Sequence, residues 1–156
     1  MRLENERLCV EIAELGAEVL RIYDKKNGRE VIWEADPAYW KRHSPVLFPN
    51  VGKTYRNTVL INGTQYPTSQ HGFARDSIFK CTNSTKDSAS FLLVSSDETK
   101  EVYPFDFELF ITYILEENKL HVKWEVRNPA DETMYFTIGG HPAFRFAEKD
   151  EVKADY

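Results

Sequence analysis

The sequence is short of the residues that mark metal, redox or exported proteins. Only two of its 156 residues are cysteine, Cys9 and Cys81. They form no CxxC pair, which argues against a zinc set or redox motif, and their apolar, strand-like surroundings predict reduced core thiols. No apolar run is long enough to span a bilayer as a helix, and charges break up the opening MRLENERLCVEI where a signal peptide needs an apolar stretch. The expectation is a cytoplasmic protein with no membrane partner. Lys and Arg total 20 against 25 Asp and Glu, a formal net charge of -5, and the cations form no long basic run. Attraction for a phosphate backbone is therefore missing, and nucleic acid is excluded as an expected partner. Internal repeats, low-complexity tracts and Pro/Gly-rich linkers are also absent, so one domain is the default for this length.

What is present is a core and a strand rhythm. Hydrophobic residues make up 42% and aromatics 13% of the chain, which rules out disorder. From Leu120 to Arg127 the period is two: Leu120, Val122, Trp124 and Val126 face one way, and His121, Lys123, Glu125 and Arg127 the other. Phe107 to Leu115 is apolar at every odd position, and Glu117-Asn118 between the two runs predicts a hairpin. Asn27-Gly28 and Asn62-Gly63 sit between strand-like segments and predict two more, because both residues tolerate positive φ. Further strands are expected at Leu8–Ile12, Glu18–Tyr23, Glu30–Trp33, Ser90–Ser95 and Met134–Ile138, with a short helical turn near Pro37–Lys41. With no ordinary amphipathic helix among them, the fold class is all-β and sandwich-like. The charged run from Ala147 to Tyr156 follows without a closing strand, so the sandwich is expected to be incomplete.

Three segments gather turn residues, imidazoles and cations more densely than structural loops require. They are Pro49-Asn50-Val51-Gly52-Lys53-Thr54-Tyr55-Arg56, Gln70-His71-Gly72-Phe73-Ala74-Arg75-Asp76 and Gly139-Gly140-His141-Pro142-Ala143-Phe144. A histidine flanked by glycine or proline lies on backbone that can approach a ligand closely. Each has a bland alternative: either histidine reads equally as a satisfied turn or core residue, Lys53 and Arg56 as solvated cations, and Arg75-Asp76 as a local ion pair.

The runs RHSPVLFPNVGKTYRN, QHGFARDSIF, YPFDFEL and GGHPAF, with the Asn-Gly hairpin ending in Tyr66, resemble the aldose 1-epimerase family, and its LacX-like branch in particular. The match extends in order over about residues 42–146. It implies a galactose mutarotase-like β-sandwich (supersandwich), of which residues 1–156 form the N-terminal part of a single domain. It also implies interconversion of the α and β anomers of an aldose, with neither metal nor cofactor. His141 occupies the place of the family's general acid. His71 corresponds to the histidine near the sugar ring oxygen. Lys53 and Arg56 compete for the place of a basic residue that binds sugar hydroxyls, with Arg75 a further cation near the substrate. The family's general-base glutamate and sugar-gripping aspartate lie in the second half and have no matching motif here. A missing C-terminal half or a second chain is thus expected to complete the fold.

The chemistry suits these residue types: anomer exchange needs a proton given to the ring oxygen while another group takes the C1 hydroxyl proton, and an imidazole titrates near the working pH. The implied substrate is a monosaccharide, with or without a phosphate. The alternative is a non-catalytic carbohydrate-binding module. A His71/His141 metal site lacks a carboxylate or cysteine to complete it. His121, on a polar strand face, is expected to be exposed. His43 is weighed as a pocket or loop-capping residue, Trp124 as core, and Trp40 beside Tyr39 as an exposed platform for a sugar ring.

Overall fold

The period-two runs become strands that pair with their neighbours in sequence. In the computed structural model, which describes residues 1–146, β1 (Arg2–Glu4), β2 (Leu8–Ile12), β3 (Val19–Asp24) and β4 (Arg29–Glu30) form an antiparallel sheet in that order. A short β5 (Val46–Leu47) follows, then the β6 (Thr58–Ile61) and β7 (Thr64–Pro67) hairpin. The second large sheet comprises β8 (Lys80–Ser84), β9 (Ser88–Val94), β10 (Glu108–Glu116) and β11 (Lys119–Arg127), in the order β11-β10-β9-β8. Finally, β12 (Gly139–Gly140) returns to pair with β5.

Alternation decides which face is inside. On β9 the buried residues are Ala89, Phe91 and Leu93, and on β10 they are Leu109, Ile111, Tyr113 and Leu115. These join Leu3, Leu8, Val10, Ile12 and Val19 of the first sheet in one continuous core, so the two sheets form a sandwich. The Tyr113 hydroxyl crosses between the layers to donate to Ala17 O at 2.7 Å. Phe48, Phe73, Tyr103 and Phe107 pack edge-on and tilted at centroid separations of 5.2–6.4 Å, extending this core beneath the loops that carry the histidines.

The three expected hairpins all form. Asn62 and Gly63, with φ of 49° and 81°, make the two-residue turn between β6 and β7. The Asn27-Gly28 connection is longer, because the Asp24 carboxylate accepts from the backbone N–H groups of Lys26 and Asn27 and opens the turn. Pro37–Lys41 contains a turn in which Trp40 N–H bonds to Asp36 O at 2.9 Å. Cys9 is buried, Cys81 is partly buried, and both are free thiols.

Three expectations fail. Of the strand expected at Glu30–Trp33 only Glu30 belongs to one, β4, while Ile32 pairs singly with Phe144. Met134–Ile138 is not a strand: Thr137 N–H bonds to Pro49 O and Tyr135 O accepts the Tyr103 hydroxyl, so the segment is held at points rather than along a ladder. Trp124 is not a core residue either, being 37% exposed, with Val122 beside it at 44%. The first sheet does not cover β11: a cleft of about 600 Å³ separates Leu120, Val122 and Trp124 from Val19 and Ile22 of β3. The charged run from residue 147 onward lies outside the described residues.

Candidate functional site

The segment Pro45–Pro49 is a spine on which both histidine loops are hung. On one side, β12 pairs with β5 (Gly139 opposite Leu47, Gly140 opposite Val46), and His141 N–H continues the contact to Pro45 O at 3.0 Å. On the other side, Phe48 O accepts from the N–H groups of Phe73 and Ala74 at 3.0 and 3.1 Å, which fixes the loop carrying His71. A Cβ on Gly72 would stand 2.2 Å from Phe48 O, and its φ is +69°, so only glycine allows this approach. Gly140 is similarly close-packed, with its would-be Cβ 3.0 Å from the Trp124 ring.

These two attachments bring His71 and His141, distant in sequence, to a ring-centroid separation of 6.1 Å. Trp40 also packs against His141, at 5.1 Å between centroids, and its carbonyl accepts the Trp33 indole N–H at 2.9 Å. Trp40, expected as an exposed platform, is instead partly buried next to His141, and it is Tyr39 that is exposed. His141 is exposed and His71 partly buried. Gly52 N–H donates to His71 Nδ1 at 3.0 Å, which makes Nδ1 an acceptor and places the proton of the neutral ring on Nε2. Desolvation, with help from the nearby Arg75 and His141, holds His71 below the usual imidazole pKa.

The cations divide. Arg75 donates to Gln70 O at 2.6 Å and lies 3.6 Å from the Asp76 carboxylate. Asp76 pairs more closely with Arg42, at 2.7 Å, so the Arg75-Asp76 ion pair is the weaker of the two. Arg75 nonetheless lies close enough to act on the His71 charge. Arg56 is exposed and stacks over the Tyr55 ring at 5.1 Å. Lys53 is exposed directly after Gly52 and makes no ion pair among the described residues. His121 is exposed on β11, 3.0 Å from Glu116, away from the pair. The described residues contain no cluster of three or more His, Cys, Asp or Glu side chains able to hold a metal ion.

Sequence reasoning missed two residues that build the site. Glu18 is buried, and its Oε1 accepts from His43 N–H and Ser44 N–H at 2.7 and 2.8 Å, anchoring the start of the spine; His43 serves as an attachment point rather than a pocket wall. Asn50 ties two loops together through its amide. An acidic residue ahead of a strand gives no sign of its backbone partners, and Asn50 lay inside a recognised segment without a chemistry of its own. The imidazoles line neither the cleft of about 600 Å³ nor one of about 500 Å³ bordered by Asn50, Gly72, Phe73 and Tyr103; both clefts are mainly apolar, the larger with Arg7, Asp24 and Arg29 at its border, and both flank the spine. The histidine pair thus stands on an open surface with Trp40 as a wall.

A β-sandwich that hangs two imidazoles from one central spine belongs to the galactose mutarotase-like class of folds. A galactose mutarotase related enzyme from Lactobacillus acidophilus superposes with a TM-score of 0.94 at 41% identity, covering 98% of this chain and 51% of that one. A galactose mutarotase-like protein from Lactobacillus casei gives 0.92 at 35% identity, covering 96% and 51%. The LacX protein of Lactococcus lactis subsp. lactis is 32% identical over 150 residues, which is 92% of this chain and 50% of LacX. The aldose 1-epimerase family model matches residues 1–156, and the chain belongs to that family. It spans about half the length of the curated relatives it matches.

Proposed function

We propose that this chain carries the proton-donating half of an aldose 1-epimerase-like isomerase, one that interconverts the α and β anomers of an aldose. The observation that carries the reading is the imidazole pair, 6.1 Å apart between centroids on one open surface, with Trp40 flanking His141. A pyranose laid across it presents its ring oxygen to His141. His141 gives a proton to that oxygen, the bond from C1 to the ring oxygen breaks, and a base removes the C1 hydroxyl proton to leave the open-chain aldehyde. Rotation about the C1–C2 bond and the reverse proton transfers close the ring in the other configuration. His71, kept neutral, donates from Nε2 and holds the sugar without supplying the proton. Hydroxyl binding is assigned to Lys53, next in sequence to Gly52, and to Arg75, whose charge is felt by His71. Because Arg75 is shared with Gln70 and Asp76 and Arg56 lies over Tyr55, a neutral monosaccharide fits better than a phosphorylated one.

The base is assigned to a glutamate in a polypeptide equivalent to the remaining half of the longer relatives, which also covers the two apolar clefts. The test follows the optical rotation of freshly dissolved α-galactose or α-glucose with the chain and that half together. His141→Asn is expected to lower kcat by roughly 10²–10⁴, the usual contribution of a positioned acid. An unchanged rate would remove His141 from the acid role, and saturable binding without turnover would favour a sugar-binding module.

A further inference from the structure

We propose that Asn50 is a positioning residue for His71, locking the imidazole with Nδ1 against the backbone and Nε2–H directed outward. The geometry stands by itself; its catalytic meaning rests on the function proposed above.

His71 sits at φ +69°, a left-handed conformation costly for any residue with a Cβ, so its ring direction must be fixed by surrounding contacts. Two bonds fix it to a single residue. His71 N–H donates to Gly52 O at 2.9 Å, and Gly52 N–H donates back to His71 Nδ1 at 3.0 Å. Asn50 holds this clasp closed. Its side-chain amide donates to Gly52 O at 3.1 Å and to Ser69 O at 3.0 Å, bridging the two loops. Both partners are carbonyl oxygens, so the nitrogen end of the amide is fixed. Ser69 in turn accepts from Gly72 N–H at 3.2 Å and donates its hydroxyl to Gly72 O at 2.9 Å, closing the turn around His71.

The clasp selects a tautomer. An N–H on Nδ1 would point at the Gly52 N–H, a donor facing a donor, so the neutral ring carries its proton on Nε2. The Gln70 amide lies 3.4 Å from Nε2, and a half-turn of that amide presents its oxygen to the Nε2–H. Protonating Nδ1 breaks the clasp and adds a charge beside Arg75 and His141, with Lys53 next along the chain from Gly52.

The experiment is a long-range ¹H–¹⁵N correlation spectrum of the imidazoles in this chain, above their titration range, with His71 assigned by His71→Gln. The expected result is a pyridine-type Nδ1 and a pyrrole-type Nε2 in one tautomer. Asn50→Ala should move both nitrogens toward averaged values and raise the His71 pKa toward that of an ordinary histidine. Thr54→Val, which removes the Thr54–Thr68 hydroxyl contact near the same loops, should leave the tautomer unchanged. A Nδ1–H tautomer in the unaltered chain, or an Asn50→Ala spectrum identical to it, overturns the proposal. Should Asn50→Ala fail to fold, the unaltered spectrum still decides the tautomer, and Asn50→Asp, which cannot donate to either carbonyl, replaces it. An intact tautomer in a protein that neither binds nor turns over sugar would count against the function and leave this inference standing.

Discussion

At Gly72 the path of the backbone and the position of a candidate sugar-binding group depend on the same missing Cβ. A methyl there meets Phe48 O at 2.2 Å and adopts a left-handed φ, so Gly72→Ala should cost at least about 2 kcal/mol of stability and displace His71. Denaturant unfolding measures the first and the His71 imidazole shift the second; a variant within about 0.5 kcal/mol of the parent would show that the loop yields, since only unconstrained surface positions are so tolerant. His71 itself makes stability depend on pH. Its folded pKa is lowered, first by desolvation, so between that value and the unfolded value the unfolded chain binds more protons. Stability should therefore be complete above the unfolded value of about 6.5 and fall as pH drops through the window below it. His71→Gln should remove that part of the slope, which thermal melts across the range would reveal; a slope unchanged in the variant would assign it to another group.

At the scale of elements, legibility followed periodicity. The β10–β11 hairpin was readable because its apolar residues alternate over two strands of nine residues each, long enough to exclude a helix. Met134–Ile138 has the composition of a strand, but composition does not supply a pairing partner, and the chain instead pairs the adjacent glycines of β12 with β5. The β11 pattern gave the correct faces and the wrong environment, because alternation says which residues share a face and nothing about whether a second layer covers it. Val122 and Trp124 consequently border an open apolar cleft on β11, which is an edge strand among the described residues. Val122→Lys should leave stability within about 0.5 kcal/mol, as at other exposed positions, and reduce self-association at high concentration in sedimentation. Severe destabilisation would show that Val122 is core after all.

For the whole molecule, the site was legible through the order of its motifs, and its assembly was not. His71, His141, Lys53, Arg56 and Arg75 stand in segments that the sequence singles out, yet only the fold shows that one spine carries both histidines and that Arg56 turns onto Tyr55. Glu18 leaves no periodic or motif-like signal, and Asn50, although inside a singled-out segment, acts on backbone carbonyls that its residue type does not reveal. The chain covers 51% of the Lactobacillus acidophilus structure it matches, and its histidine pair lies on an open surface beside two apolar clefts. In the proposed mechanism the acid lies on this chain and the base on the other half. Removing one member of an acid–base pair forfeits most of its concerted advantage even where some binding survives. The most direct measurement is the rate of α-galactose mutarotation by residues 1–156 alone, by the complementary half of the Lactobacillus acidophilus relative alone, and by the two combined at equal concentration. Catalysis is expected only from the combination and is lost with His141→Asn; turnover by residues 1–156 alone that matched the combination would place the base within this chain and overturn the proposed division of acid and base.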